Sequence, residues 1–259
     1  MLQFDQRGCG KSTPAGKLQG NSLQHTVADI ERLRALMGIE QWAVTGGSWG
    51  SCVAVAYAEA HAARCLGLLL VSTWLCRAKD TDWWFQGVRT VFPEVWEQFA
   101  SCVPANKRPN LLASYCDAIL HGTDTEKANQ MARQLYLYEE AFMRFEAPMA
   151  PPPEDNAIRY GRIFAHYASN GFFLKDAQLL EDAMAIADLP VEMVTGRYDM
   201  CTTPDNAFDL KEKLPNAVLT IVPGAGHNPM ETALARACIG AAERLYKSIN
   251  SKFGSVSYG

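Results

Sequence analysis

Short apolar runs alternate with amphipathic stretches near both ends of the chain. Four runs predict β-strands: Trp42–Thr45, Cys65–Val71, Val191–Thr195 and Val218–Val222. Four stretches predict helices with a 3.6-residue period or helix-compatible composition: about Ser22–Met37, Ser51–His61, Pro204–Leu214 and Met230–Ile249. Strands that alternate with helices indicate an α/β fold with a mostly parallel sheet, and the continuous apolar run at Cys65–Val71 suits a strand buried on both faces.

The first predicted helix has an apolar stripe formed by Val27, Ile30, Leu33 and Met37. These positions are three or four residues apart, so they lie on one face of the predicted helix. Ahead of this helix, the apolar start Met1–Phe4 predicts one more strand.

The middle of the chain has a different pattern. From Trp74 to about Leu180 the residues are predominantly helical in period and rich in aromatic side chains. Most of these rings are expected in a core, and a few could line an apolar substrate pocket. We therefore predict two parts: an α/β core formed by residues 1–73 and 181–259, and a helical cap formed by residues 74–180.

A G-x-S-x-G motif follows the strand at Trp42–Thr45, as Gly46-Gly47-Ser48-Trp49-Gly50. In a sharp turn between a strand and a helix, a serine flanked by small residues stands clear of its neighbours, because a Cβ would clash in the tight crossing. The helix N-terminus aims backbone N–H groups at charge that forms on a substrate. The motif alone is weak evidence, since glycine and serine are common residues. The strand before it and the helix after it make Ser48 a candidate nucleophile.

A nucleophilic serine needs a base, and that base needs an acid that fixes its tautomer. Asp199 follows the predicted strand Val191–Thr195, and His227 lies in the glycine-containing loop after Val218–Val222. Both residues fall just beyond carboxyl ends of strands, where open α/β sheets carry their sites. Each residue has a non-catalytic alternative: Asp199 could cap the turn that follows it, and His227 could be an ordinary loop histidine. Because both come after Ser48 in the order acid then histidine, these alternatives are less favoured. The remaining histidines lie in predicted helices or in a polar loop: His25, His61, His121 and His166.

The chain resembles the proline iminopeptidases, serine exopeptidases of the α/β-hydrolase class that remove an N-terminal proline. Four segments carry the resemblance: Asp5–Ser12, Val27–Arg34, Gly46–Ser51 and Gly196–Asp199. It runs over nearly the whole chain and implies an α/β-hydrolase fold, with helices on both faces of the sheet. It also implies Ser48, Asp199 and His227 as a catalytic triad, in agreement with the choice made from the residues. The backbone N–H of Trp49 is the expected oxyanion donor.

The N-terminus departs from the family pattern. Family members normally begin with further strands and a His-Gly-Gly-Pro-Gly type loop, which contributes one oxyanion N–H. Here Met1–Phe4 already stands as the expected strand before Asp5, so we expect an N-terminally truncated fold that lacks its first strands. Loss of one oxyanion donor typically lowers turnover on the order of a hundredfold to a thousandfold.

The cap departs from the pattern at one position. In the family, two cap glutamates bind the free amino group of the substrate. The segment Leu135–Ala141 resembles the first and keeps an acid at Glu139, whereas Arg162–Tyr167 resembles the second but has Phe164 where the family carries glutamate. Glu139 is therefore the expected amine ligand, with a solvated charge on a helix face as the alternative. One carboxylate attracts a buried ammonium less strongly than two, which weakens selectivity for an N-terminal amine.

Composition narrows the class of protein without deciding its function. The 259 residues are 48% hydrophobic and 20% charged, enough for one large core and a smaller cap. The net charge of −4 argues against nucleic-acid binding, and no 18-residue apolar run predicts a membrane span. The eight cysteines form no C-x-x-C pair and no metal-ligand pattern, which favours reduced thiols and a cytoplasmic location. Gly10-Lys11-Ser12 is not a P-loop, because Asp5 stands where that motif requires glycine.

Three hypotheses about function remain open at this point. The first is a serine aminopeptidase of the proline iminopeptidase type that needs no cofactor. The second is an esterase or amidase of the same fold with a broader apolar substrate, which Phe164 favours. The third is a catalytically impaired fragment or an interaction protein. The first two predict a small peptide or ester as the partner, and the sequence predicts no oligomeric state.

Overall fold

The computed structural model describes residues 1–143 and 153–253. The chain forms two compact units, one of Met1–Thr26 with Thr81–Lys175 and the other of Val27–Asp80 with Asp176–Gly259. The division into a core and a cap at residues 74–180 stays a prediction, and the two units differ from it mainly at the N-terminus. Residues 1–26 group with 81–175 because Asn21 accepts hydrogen bonds there, its side-chain oxygen from the Tyr167 hydroxyl at 2.7 Å and its carbonyl at His166 Nε2, also at 2.7 Å.

A parallel sheet of four strands forms the centre of the second unit. The strands are β1 (Trp42–Ser48), β2 (Cys65–Thr73), β3 (Val191–Gly196) and β4 (Ala217–Val222), in the spatial order β1-β2-β3-β4. β3 is buried along its whole length and β2 along most of it, whereas β1 alternates between half-buried and exposed residues. Because all pairs are parallel, the four carboxyl ends lie at one edge of the sheet.

Helices account for most of the remaining chain. In the described ranges they are α1 (Leu23–Leu36), α2 (Trp49–Ala60), α3 (Ala78–Asp82), α4 (Pro93–Ser101), α5 (Leu111–His121), α6 (Thr125–Met143), α7 (Glu154–Ser169), α8 (Gln178–Glu181), α9 (Asp205–Lys213) and α10 (Thr232–Phe253). Helix α2 packs against β1 and β2, and α10 packs against β2 and β3. α2 can pack closely because its sequence is apolar and rich in small residues, so most of its side chains are buried.

Two expectations from the sequence are wrong. Residues 1–6 form no strand, and the side chains of Met1, Leu2 and Phe4 are exposed, because apolar composition alone does not make a strand without a neighbour to pair with. The apolar stripe of α1 also stops early: Met37 is 60% exposed and lies beyond the helix. Gly38 adopts a φ of +66°, which ends the helix, and the carbonyl of Arg34 accepts the N–H of Ile39.

Aromatic side chains build the interior of the first unit. The ring of Phe99 stacks at 4.0 Å on Tyr115 and at 4.0 Å on Tyr138, joining α4, α5 and α6. The hydroxyl of Tyr115 donates to the Phe99 carbonyl at 2.8 Å, so this buried polar group is satisfied. The helical character predicted for the middle region is confirmed, and within the described residues no strand lies between Trp74 and Leu180.

The loop Asp5–Ser12 folds around its own aspartate. Asp5 Oδ2 accepts the N–H of Lys11 at 2.8 Å, and the Asp5 carbonyl accepts the Ser12 hydroxyl at 2.6 Å. A Cβ at Gly10 would lie 2.2 Å from the Asp5 carboxyl carbon, so this position requires glycine. The loop is thus closed by contacts of Asp5 with residues 10–12.

Candidate active site

Ser48 lies in the sharp turn between β1 and α2. Its φ of 53° and ψ of −126° place it in a backbone region that L-residues rarely adopt. Gly46 makes this turn possible, because a Cβ there would lie 2.0 Å from the carbonyl oxygen of Gly50. A Cβ at Gly50 itself would meet no atom within 4 Å. The steric requirement expected of the motif is therefore confirmed for Gly46 and is wrong for Gly50.

The hydroxyl of Ser48 does not cap the helix that follows it. Ser48 occupies the N-cap position of α2 but makes no side-chain capping bond. Its carbonyl accepts the Ser51 hydroxyl at 2.6 Å, and Ser51 Oγ in turn accepts the N–H of Trp74 at 2.9 Å. Trp49 begins the helix, so its N–H belongs to the first turn, whose N–H groups have no acceptor inside the helix. Ser48 is thus held through its backbone.

Asp199 and His227 form a buried pair. Nδ1 of His227 lies 2.9 Å from Oδ2 and 3.0 Å from Oδ1 of Asp199, and the residues are 3% and 1% exposed. Oδ1 also accepts the backbone N–H groups of Cys201 at 3.0 Å and Thr202 at 2.7 Å. Hydrogen bonds from N–H groups stabilise the charged carboxylate. Because Nδ1 contacts the carboxylate, Nε2 is the imidazole nitrogen that can exchange a proton with a substrate or nucleophile.

Glycines let the segments that carry this pair cross. The N–H of Tyr198 donates to the Ala225 carbonyl at 2.9 Å, which ties the end of β3 to the loop before His227. A Cβ at Gly196 would lie 2.1 Å from the Gly226 carbonyl oxygen, so any other residue would displace that loop. The N–H of Gly226 donates to Glu231 Oε2 at 2.9 Å. The close crossing therefore explains the glycine at position 196, three residues before Asp199.

The end of β2 contacts both sides of the candidate site. In the sheet register Ser48 pairs with Thr73, and on the other side the Ser72 carbonyl accepts the Thr202 hydroxyl at 3.0 Å. The Ser72 hydroxyl lies 3.5 Å from the carbonyl of His227. Ser72 adopts a φ of 51° at this point. The structure therefore places Ser48, Asp199 and His227 at the same edge of the sheet, with β2 between the strand of the serine and that of the acid.

Sequence reasoning missed the two hydroxyl residues in this arrangement. Thr202 had a weak signal, because an aspartate followed two and three residues later by N–H groups that bond its side chain is a common turn pattern. Ser72 had none, since its role depends on a backbone carbonyl and a positive φ that composition does not reveal.

Glu139 lies half-buried on α6 of the first unit. The hydroxyl of Tyr160 on α7 donates a hydrogen bond to its carboxylate, and the ring of Tyr136 lies 5.4 Å from the Tyr160 ring. Phe164 is buried and stacks on Trp84, with ring centroids 5.6 Å apart and planes 8° apart. The surroundings of Glu139 are thus partly aromatic, which differs from a fully solvated helix face. No sequence pattern pointed to Tyr160.

The comparisons with known proteins show the family and the fold of the chain. The α/β-hydrolase fold family matches residues 2–234. A probable proline iminopeptidase of Leptolyngbya boryana is 37% identical over 252 residues, which cover 94% of this chain and 78% of that protein. The chain belongs to the proline iminopeptidase family. It is a hydrolase with the α/β-hydrolase fold, and the family and fold predicted from the sequence are confirmed.

Other members of the proline iminopeptidase family give the same result. The proline iminopeptidase of Neisseria gonorrhoeae is 36% identical over 243 residues, with 93% of this chain and 78% of that protein covered. The crystal structure of the Mycobacterium smegmatis proline iminopeptidase aligns with a TM-score of 0.56 and 20% identity, over 95% of this chain and 79% of that one. At that identity the structural likeness supports the fold.

Two further findings concern metals and membranes. Among the residues that the structure describes, no group of three or more His, Cys, Asp or Glu side chains could hold a metal ion. No helix in the same ranges is long and apolar enough to cross a membrane.

Proposed function

We propose that this chain is a serine aminopeptidase that releases an N-terminal proline from peptides through an acyl-enzyme. The observation that carries the proposal is the 2.9 Å contact between His227 Nδ1 and Asp199 Oδ2, at the sheet edge where the strand of Ser48 ends. The names of the related proteins support the substrate class, since they are proline iminopeptidases. The small peptide substrate is the only partner that the reaction requires.

In the first half of the reaction, Ser48 Oγ attacks the carbonyl carbon of the N-terminal prolyl residue. His227 Nε2 accepts the serine proton, and Asp199 orients the imidazole and stabilises its charged form. The N–H of Trp49 donates to the oxyanion of the tetrahedral intermediate. The C–N bond then breaks, His227 gives its proton to the leaving amine, and a prolyl ester of Ser48 remains.

In the second half, water attacks the prolyl ester and His227 accepts a proton from it. Collapse of the second tetrahedral intermediate breaks the ester bond, and the proton returns to Ser48 Oγ. Free proline leaves the site. Every proton in this cycle is held by the serine, the histidine, the water or the leaving group, so the cycle needs no metal or organic cofactor.

Glu139 is the proposed ligand of the substrate's free amine. A half-buried carboxylate attracts a cation more strongly than an exposed one, for which an ion pair contributes only about 0–1 kcal/mol. The Tyr160 hydroxyl, which already hydrogen-bonds this carboxylate, would help to fix its orientation.

One observation favours a second candidate function, an esterase or amidase with an apolar acyl group. Phe164 stacks on Trp84 at the position where the resemblance leads one to expect the second amine-binding glutamate. An aromatic side chain there offers an ammonium group no carboxylate. A neutral ester substrate needs no such ligand, so this alternative predicts better turnover of esters than of prolyl substrates.

The nucleophile is tested by labelling with a fluorophosphonate. The wild-type protein should be labelled at Ser48, and Ser48→Ala should lose both the label and all hydrolysis of L-proline p-nitroanilide. Ser101→Ala, which changes an exposed serine at the end of α4, should behave as wild type. Mass spectrometry of the labelled peptide identifies the modified residue. A label that persists in Ser48→Ala would refute the assignment, and no label in the folded wild type would refute the serine mechanism.

The substrate class is tested by comparing kcat/KM for L-proline p-nitroanilide with that for p-nitrophenyl acetate. The proposal predicts that the prolyl substrate is preferred once each value is corrected for the spontaneous rate. A preference for the ester would favour the second candidate.

A further inference from the structure

Thr202 contacts three groups of the candidate site through one hydroxyl. Its side chain lies three residues after Asp199 and the residue is 1% exposed. Thr202 Oγ1 is 3.0 Å from Asp199 Oδ2, 3.0 Å from the Ser72 carbonyl and 3.3 Å from His227 Nδ1. This buried hydroxyl therefore lies at hydrogen-bond distance from the acid, the base and the neighbouring strand, where it can orient them.

The two oxygens of Asp199 are held differently. Oδ1 accepts two backbone N–H groups, from Cys201 and Thr202, as well as contacting His227. Oδ2 contacts His227 and the Thr202 hydroxyl, and among the described residues it has no other hydrogen-bond partner. Because both donors are backbone N–H groups, Oδ1 stays fixed whichever side chain stands at position 202. The rotation of the carboxylate about that oxygen depends on the hydroxyl.

The hydroxyl has one proton for two acceptors at equal distance. When it donates to Asp199 Oδ2, it stabilises the charge that faces His227, since hydrogen bonds to ionised acceptors are the stronger ones. When it donates to the Ser72 carbonyl, it ties the acid segment to the end of β2. The next residue of that strand, Thr73, pairs with Ser48. The first state orients the carboxylate, and the second links the acid segment to the strand next to the serine.

We propose that Thr202 is a positioning residue that sets the orientation of the Asp199 carboxylate against His227 and fixes both to the end of β2. The inference rests on the proposed function, because it assigns Asp199 and His227 to the triad. Its effect should fall on the chemical steps, since Thr202 acts through the acid and the base and has no role in holding the substrate.

The decisive comparison is between Thr202→Ser and Thr202→Ala, which both lose the methyl group and differ only in the hydroxyl. Thr202→Ser should keep kcat within about threefold of wild type. Thr202→Ala should lower kcat about ten- to a hundredfold with KM changed less than twofold, as expected when a catalytic group is misaligned. The rate constant of fluorophosphonate labelling should fall with kcat. Thr203→Val, which removes a hydroxyl that donates to the exposed Asp205, is the matched control and should behave as wild type.

Three outcomes overturn the proposal. Equal kcat values for the Ala and Ser variants would show that the hydroxyl has no positioning role. A fall in kcat shared by both variants would assign the effect to the methyl group. A loss of activity in Thr202→Ala that parallels a loss of folded protein in thermal unfolding would indicate a structural role alone. Failure of the proposed function is seen separately, as an unlabelled wild type or an active Ser48→Ala, so the two failures are distinct.

Discussion

The contact between Glu139 and Tyr160 bears on whether Glu139 is a solvated surface charge or a binding residue. The sequence left Glu139 either as an amine ligand or as a solvated charge on a helix face. In the structure it is half-buried and accepts a hydrogen bond from Tyr160, whose ring lies 6.2 Å from that of Phe164. A carboxylate beside aromatic rings suits a cation that also carries apolar carbons. The protonated secondary amine in the ring of an N-terminal proline is such a group.

Glu139→Gln should therefore raise KM for L-proline p-nitroanilide by about tenfold, because the amide keeps the shape of the side chain and loses its charge. Hydrolysis of p-nitrophenyl acetate should change little, since this ester carries no ammonium group. Steady-state kinetics on the two substrates measure both effects. Glu140→Gln makes the same change one residue later and should leave both substrates unaffected. Equal losses on the two substrates in Glu139→Gln would show that Glu139 supports the fold and not the amine.

At the residue level, position along a strand is the clearest signal in the sequence. Asp199 and His227 each follow a predicted strand, and the structure brings them into contact at one edge of the parallel sheet, while their catalytic roles stay a prediction. Thr202 and Tyr160 were not found, because their roles depend on which side chains meet across the fold. Met37 was placed on the apolar stripe of the first helix by its spacing, yet that helix ends at Leu36, before the positive φ of Gly38.

The crossing of β1 and α2 is the element that gives Ser48 its conformation. Gly46 and Gly50, the two glycines of the motif, have different steric roles in this crossing. Gly46 lies where the strand passes the first turn of the helix, and a side chain would strike the backbone of Gly50. Gly50 has open space around its Cβ position, so the helix tolerates a side chain at that point.

Gly46→Ala should distort the turn and reduce fluorophosphonate labelling more than about a hundredfold, because a backbone clash cannot be relieved by a rotamer change. It should also lower the free energy of unfolding by about 1–3 kcal/mol, as overpacking does. Gly50→Ala should leave stability unchanged or raise it by up to about 1 kcal/mol, since alanine favours the helix more than glycine. Labelling rates and thermal unfolding of both variants test the contrast. Similar destabilisation by the two substitutions would contradict this account of the turn.

Among the elements, the four strands of the sheet were predicted within a few residues, because apolar runs flanked by polar turns leave few alternatives. The strand predicted at Met1–Phe4 is wrong. The composition of this segment suits a strand, but among the described residues no neighbouring strand pairs with it. The grouping of residues 1–26 with 81–175 was also beyond prediction, since it depends on contacts such as that of Asn21 with Tyr167.

The stability of the whole molecule should depend on pH through Glu59 on α2. Burial raises the pKa of this carboxyl from 4.5 to about 9, and the nearby charge of Asp182 adds to the effect. Its Oε1 is buried and has no hydrogen-bond partner within residues 1–143 and 153–253. Below about pH 4.5 the group is neutral in both the folded and the unfolded chain. Between about pH 4.5 and 9 the unfolded chain loses the proton while the folded protein keeps it, so the free energy of unfolding falls as the pH rises.

Glu59→Gln should remove this dependence, because glutamine does not ionise in the unfolded chain. The melting temperature of the variant minus that of wild type should therefore increase from pH 5 to pH 8, with a limiting slope in free energy of about 1.4 kcal/mol per pH unit. Thermal unfolding at four pH values in that interval measures the difference. Glu97→Gln, at an exposed position on α4, should give a curve parallel to wild type. Parallel curves for Glu59→Gln as well would show that Glu59 is ionised in the folded protein.

The hydrogen bonds of Ser72 have a consequence for the time at which this protein acquires its site. They join residues that are 130 and 155 positions apart in the chain. The last of these partners, His227, leaves the ribosome only after the whole of the first unit and all four strands of the sheet have been made. Under the proposed mechanism, a nascent chain that carries the Ser48 turn therefore has no base beside the serine during most of its synthesis. The proposal thus predicts that hydrolytic activity begins only near the end of translation and that a chain released before His227 is inactive.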